Sequence, residues 1–280
     1  MLWKGRRESS NVDDRRGMSG GGLAVGGGII GVIALLINFF LGGGDASQLP
    51  QQLPGGGSPE MNTEQQAAEE ELAGFVKVVF ADTEDVWNTL LGQNEYQDPR
   101  LVLYRGGTES GCGYASKASG PFYCPADQQV FVDLSFYQEL KNRFNVSGEF
   151  AMAYVIAHEV GHHIQYLMGT TEKMAKARQQ VSEKEYNQLS VKLELQADFL
   201  AGVWAHHNQK MKSVIQPQDI EEALNAANAI GDDNLQKQSQ GHVVPDAFTH
   251  GTSEQRMYWF KKGYQTGDPK QGDTFSDPDL

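Results

Sequence analysis

Apolar residues in this chain recur mostly three and four positions apart, the spacing of one helical face. Leu72, Phe75, Val76, Val79 and Phe80 follow Thr63, whose capping-box spacing to Gln66 predicts a helix start. A second start at Asp82 or Thr83 carries Val86, Trp87, Leu90 and Leu91. Phe150, Met152, Val155, Ile156, Val160, Ile164 and Leu167 make a buried helical face between Ser147, a candidate N-cap, and Gly169, a candidate stop. Tyr186, Leu189, Leu193, Ala197, Leu200 and Ala201 make another from about Ser182. Pro217 opens a helix through Ile220, Leu224, Ala227 and Ile230, with Gly231 able to end it. Thr252 with Gln255 caps a last one through Met257, Trp259, Phe260 and Tyr264, and the polar tail after Gly267 reads as frayed. Leu101–Tyr104 and Gln129–Leu134 read as short strands. The class is α+β, mainly helical, with a short antiparallel sheet.

The first sixty residues break this pattern. Residues 23–41 carry no charge and are about as long as a helix that crosses a bilayer. Lys4, Arg6, Arg7, Arg15 and Arg16 precede them, and no Lys or Arg follows until Lys77. The positive-inside tendency then leaves the N-terminus in the cytoplasm and exports the body. A cleavable signal peptide is the rival reading, although its apolar core is usually shorter. A buried soluble helix is the third, and the glycine cluster suits it poorly. Residues 1–22 are thus a basic tip, 23–41 a transmembrane helix, 42–61 a Gly/Pro linker and 62–280 the folded domain. A formal charge of −13 argues against nucleic acid as a partner. Cys112 and Cys124 are the only cysteines, and an exported setting favours a disulfide between them. Closing so short a loop stabilises a fold by about 3 kcal/mol in the chain-entropy picture. Free thiols in a cytosolic protein are the alternative.

The chemistry concentrates in His158-Glu159-Val160-Gly161-His162. Residues four apart share a helix face, so His158 and His162 can hold one ion, and neutral imidazoles suit Zn²⁺. Glu159 can then take a proton from water beside the ion. Two partly buried histidines with ordinary hydrogen bonds are the plain alternative. A third ligand is sought among acids on an apolar face. Glu194 and Asp198 lie four apart among leucines and alanines, where an unpartnered carboxylate is costly to bury. Glu194 completes a His₂Glu set, and Asp198 is placed to accept the free ring N–H of a ligating histidine. Against this stands a solvated acidic stripe beside Lys192. His206 and His207 are competing ligands, His163 points away from the motif face, and His242 has no assigned role.

These motifs sit among WKGRRESSNVDDRR, GPFYCPAD, VFVDLSFY, AYVIAHEVGHH, LELQADFLAGVWAH, EEALNAANAIGDD and VVPDAFTHGTSEQR. Together they resemble the bacterial "putative neutral zinc metallopeptidase" family. The resemblance implies a zincin-like domain with His158, His162 and Glu194 on zinc and Glu159 as general base, acting on peptides or proteins. It implies that His250 and Arg256, in THGTSEQR, line the site and help stabilise an oxyanion. With residues 23–41 it implies a single-pass protein of the bacterial inner membrane, its domain periplasmic or extracellular. The reading from a different class is an exported binding module whose zinc is structural, closed by a fourth ligand such as His206 or His250.

Overall fold

The structure, a computed structural model, describes residues 1–17, 61–92, 94–116, 119–146 and 148–280. The apolar stretch 23–41, the linker to residue 60 and Ser147 lie outside the described residues. Among those described, no helix is long and apolar enough to cross a membrane.

Helix α1, Thr63–Leu91, is continuous, where the sequence suggested a break. Its capping box is Asn62 with Gln65, one residue earlier than expected. Thr83 does not restart it, because its hydroxyl donates back to the Phe80 carbonyl at 2.7 Å within the helix. Four strands form one sheet in the order β1 (Val12–Asp14), β2 (Arg100–Tyr104), β6 (Gln129–Asp133), β5 (Phe122–Cys124). The expected antiparallel sheet is corrected to a mixed one: β1, β2 and β6 are parallel, and only β5 runs against β6. The chain between β2 and β6 makes a separate antiparallel hairpin, β3 (Gly107–Ser110) with β4 (Gly113–Ser116), then β5, and so returns β6 in the direction of β2.

Alternation along β2 sends Leu101 and Leu103 to the helical core and Val102 and Tyr104 to a smaller core under the hairpin. The sheet is therefore buried on both faces. The helical layer holds α2 (Ser135–Arg143), α3 (Glu149–Leu167), α4 (Thr170–Arg178), α5 (Glu183–Lys212), α6 (Pro217–Ala229), α7 (Asp232–Gln240) and α8 (Ser253–Thr266). The caps at Ser182, Pro217 and Thr252 fall where the sequence placed them, and Gly169 takes the left-handed conformation that stops α3. Helices α4 and α7, polar and nine residues each, left no apolar face to read.

Two terminal expectations are corrected. The tail is not frayed: buried Thr274 donates to the Lys192 carbonyl, and Gln196 reaches the Gly272 carbonyl at 2.9 Å, docking the tail along α5. Nor do residues 1–17 stand apart as a tip. They wrap α1, place Trp3 edge-on against Phe75, and add β1 to the sheet in register with β2.

Candidate metal centre

Helices α3 and α5 touch backbone to backbone. A Cβ on Gly161 would lie 3.1 Å from the Ala197 carbonyl oxygen, tighter than ordinary contact, so glycine lets the helices approach this closely without a shift of either backbone. The approach sets His158 and His162 against Glu194. Glu194 Oε2 lies 3.1 Å from His158 Nε2, and Oε1 lies 3.5 Å from His162 Nε2. One ligand atom from each of the three residues falls within 4.8 Å of the others. The acidic pair on α5 is buried, so the solvated-stripe reading does not hold.

The outer ring nitrogens are held by different means. His158 Nδ1 faces Asp198 Oδ1 at 2.8 Å. The Tyr154 hydroxyl donates to the same oxygen at 2.6 Å, and Arg256 donates from Nε to Oδ2 at 2.8 Å and from Nη2 to Oδ1 at 3.0 Å. His162 Nδ1 faces Gln165 Oε1 at 2.8 Å, while Gln165 Nε2 donates to the Leu193 carbonyl and to Gln196. A carboxylate and an amide oxygen can only accept, so both Nδ1 atoms carry a proton and both Nε2 atoms are left to face Glu194, where an ion would take the place of any proton they hold. The sequence reading missed Gln165, though its position three residues beyond His162 on the same helix was the available signal. Arg256 departs from its expected place: fully buried, it holds Asp198 and does not line the site.

Charge around the centre follows from this ring. Burial alone would lower His158, but the Asp198 and Glu194 carboxylates outweigh it and hold the imidazole up at about 10. Burial would raise Asp198, yet Arg256 and His158 bring it down to about 2. Glu194 also resists burial and stays well below the usual carboxylate range, through His162, His250 and His158. Glu159 moves the other way, pushed up by burial against the pull of the two histidines. Two imidazoles and a carboxylate are a zinc donor set. Glu159 Oε1 and His250 Nε2 are buried without a hydrogen-bond partner, polar atoms of the kind a bound ion and its water or substrate would satisfy. The residues present fit zinc.

The family described as "Putative neutral zinc metallopeptidase" matches residues 1–275. The chain belongs to this family. Uncharacterized protein YpfJ of Escherichia coli K12 is 49% identical over 284 residues, covering 98% of this chain and 99% of that protein. Uncharacterized protein Rv2575 of Mycobacterium tuberculosis H37Rv is 43% identical over 205 residues, 70% of this chain and 68% of that one. No solved structure matches.

The other groups named from the sequence are accounted for. Cys112 and Cys124 form a disulfide that ties the β3–β4 turn to β5. His206 Nδ1 lies 2.9 Å from the Tyr264 carbonyl and His207 Nε2 lies 2.7 Å from that of Gly267, so both serve α8 packing and not the metal cluster. His242 sits in an exposed turn near the Gln240 carbonyl. His250 is buried, its backbone N–H donating to Asp232 at 2.7 Å and its Nδ1 beside Thr249. His163 is buried behind α3, between Tyr123 and the Gln97 carbonyl.

Proposed function

We propose that this family member is a zinc-dependent peptidase that hydrolyses peptide bonds with Glu159 as general base. The observation carrying this reading is the unpaired, buried Glu159 Oε1 one residue from the His158–His162–Glu194 cluster. A structural zinc site has no use for such a group. A zinc ion held by the three ligands supplies Lewis acidity toward a peptide carbonyl and makes nearby water easier to deprotonate. Glu159 takes the proton of the attacking water and returns it to the departing amine; its raised affinity for protons suits both halves of that task. His250 Nε2, buried with no hydrogen-bond partner among the described residues, is the group to meet the oxygen on which charge develops. Arg256 acts on this chemistry only through Asp198 and His158.

Among the described residues strand β5 pairs with β6 alone, and the amide of Tyr123 faces the Glu159 carboxylate. An extended substrate would add to that free edge. The disulfide supports an oxidising compartment for the domain, and residues 23–41 are proposed to attach it to a membrane. The test is Glu159→Gln in the full chain, assayed for zinc and for casein cleavage. The reading expects zinc retained and cleavage reduced by at least about a thousandfold. Cleavage at the parental rate would end it.

A further inference from the structure

We propose that His163 is a positioning residue that sets edge strand β5 against the metal helix. The inference rests on the peptidase reading for its functional consequence, but not for its geometry. His163 follows ligand His162 and leaves α3 on the opposite side, where it is completely buried. The Gln97 carbonyl, 2.6 Å from Nε2, can only accept, so Nε2 carries the proton. Nδ1 is then bare and accepts from the Tyr123 hydroxyl at 2.9 Å. The ring also meets Tyr123 and Tyr96 edge-on, at centroid separations of 5.4 and 5.9 Å. One side chain thus joins α3, the segment before β2, and β5.

Tyr123 is the middle residue of β5, and its own amide faces Glu159. A shift of this strand would move the general base's neighbour and the substrate's edge together. The β6 ladder fixes β5 laterally and the disulfide fixes its end. Toward α3, Tyr123 packs on Tyr166 at a centroid separation of 6.4 Å, and the Tyr123–His163 hydrogen bond is the directional contact that sets its separation from the helix. Tyr123→Phe and His163→Asn in the full chain test this. Amide exchange in β5 should become at least about tenfold faster in both, with zinc content unchanged. KM for an extended peptide should rise about tenfold while kcat stays within about twofold. Unchanged β5 exchange in both variants overturns the placement. Parental KM in both, with an active parent enzyme, overturns the positioning role. An inactive parent would instead strike the peptidase reading, leaving the exchange result to decide this one.

A second inference comes from a different part of the molecule. We infer that residues 1–17 and the body occupy the same side of any membrane the chain enters. The five basic residues that suggested a cytoplasmic tip all find carboxylates in the fold. Lys4 pairs with Glu71, Arg6 with Asp82, Arg7 with Glu84 and Asp85, Arg15 with Asp13, and Arg16 with Asp14, Glu69 and Glu70. The backbone adds Leu101 N–H to the Asn11 carbonyl at 3.0 Å and Arg15 N–H to that of Leu103 at 2.7 Å. The Asp13 and Asp14 pairs lie within the arm, but those to Glu69, Glu70, Glu71, Asp82, Glu84 and Asp85 and both backbone bonds reach the body. They cannot form if a single crossing between residues 17 and 61 parts the two regions. The family match, which begins at residue 1, includes this arm.

Gly17 and Gln218 are both exposed, and a side chain at Gly17 meets nothing within 4 Å. Gly17→Cys and Gln218→Cys, each in the full chain in intact spheroplasts, report sidedness to a membrane-impermeant maleimide, with detergent-lysed samples as the labelling control. The inference expects both sites labelled or both protected. One labelled and the other protected overturns it.

Discussion

Asp198 and Asp82 are both buried aspartates that bind together elements distant in the chain, and they do so on different terms. Asp198 takes His158, Tyr154 and Arg256, all buried with it, and so holds one face of the metal centre. Asp82 takes Arg6, Lys212 and Asn208 at the edge of the body, where Arg6 keeps a fifth of its side chain in solvent. The first network sets the direction of a candidate metal ligand; the second fastens the N-terminal arm to α1 and α5. Similar chemistry therefore serves orientation in one place and attachment in the other. The way to separate the roles is to ask which changes move zinc affinity and which move only stability.

The largest effect is expected from Arg256→Met, which leaves Asp198 buried without its cation. It should destabilise the fold by about 3–5 kcal/mol in denaturant unfolding and weaken zinc as well. Asp198→Asn keeps the shape but loses the charge, and zinc titration should show about tenfold to hundredfold weaker binding. Acid gives the same contrast without mutation. Asp198 is depressed from 3.8 to about 2, so its contribution is present above 3.8 and is lost as pH falls through about 2. That loss is worth about 2 kcal/mol, seen as a falling denaturation midpoint across that window and absent in Asp198→Asn. The smallest effect belongs to the arm. Arg6→Ala should cost about 1 kcal/mol of stability and leave zinc affinity unchanged. A zinc effect as large as that of Asp198→Asn would erase the distinction.

The same comparison shows what could be read from the sequence. The cluster of His158, His162 and Glu194 was legible because its parts lie on two helices at four-residue spacing, His158 with His162 and Glu194 with Asp198, and helical geometry turns that spacing into a shared face. The helix caps at Ser182 and Thr252 were legible for the same local reason. The arm was not. Asp82 meets Arg6 across 76 residues and Lys212 across 130, and no periodicity records such a meeting. The basic arm carries the same charges a topogenic signal would, and its spacing gives no sign of the carboxylates it meets in the fold. Arg256 was expected to line the site and instead holds Asp198, a target set by the close packing of α5 on α8. A Cβ on Gly202 would meet the Phe260 carbonyl, and one on Gly263 that of Phe199, so paired glycines bring Arg256 onto Asp198. Strand β1, at three residues and with two acids, offered no alternation to detect.

Because β1 belongs to the sheet, the folded unit includes the arm, and a fragment starting at residue 62 would lack an edge of its own fold. The decisive measurement therefore uses the full chain: zinc per molecule in the parent and in Glu194→Ala, after equilibration against a weak chelator. The account predicts about one zinc ion in the parent and less than about a tenth in the variant, with both folded by circular dichroism. A folded Glu194→Ala protein that keeps its full zinc would contradict the three-ligand site.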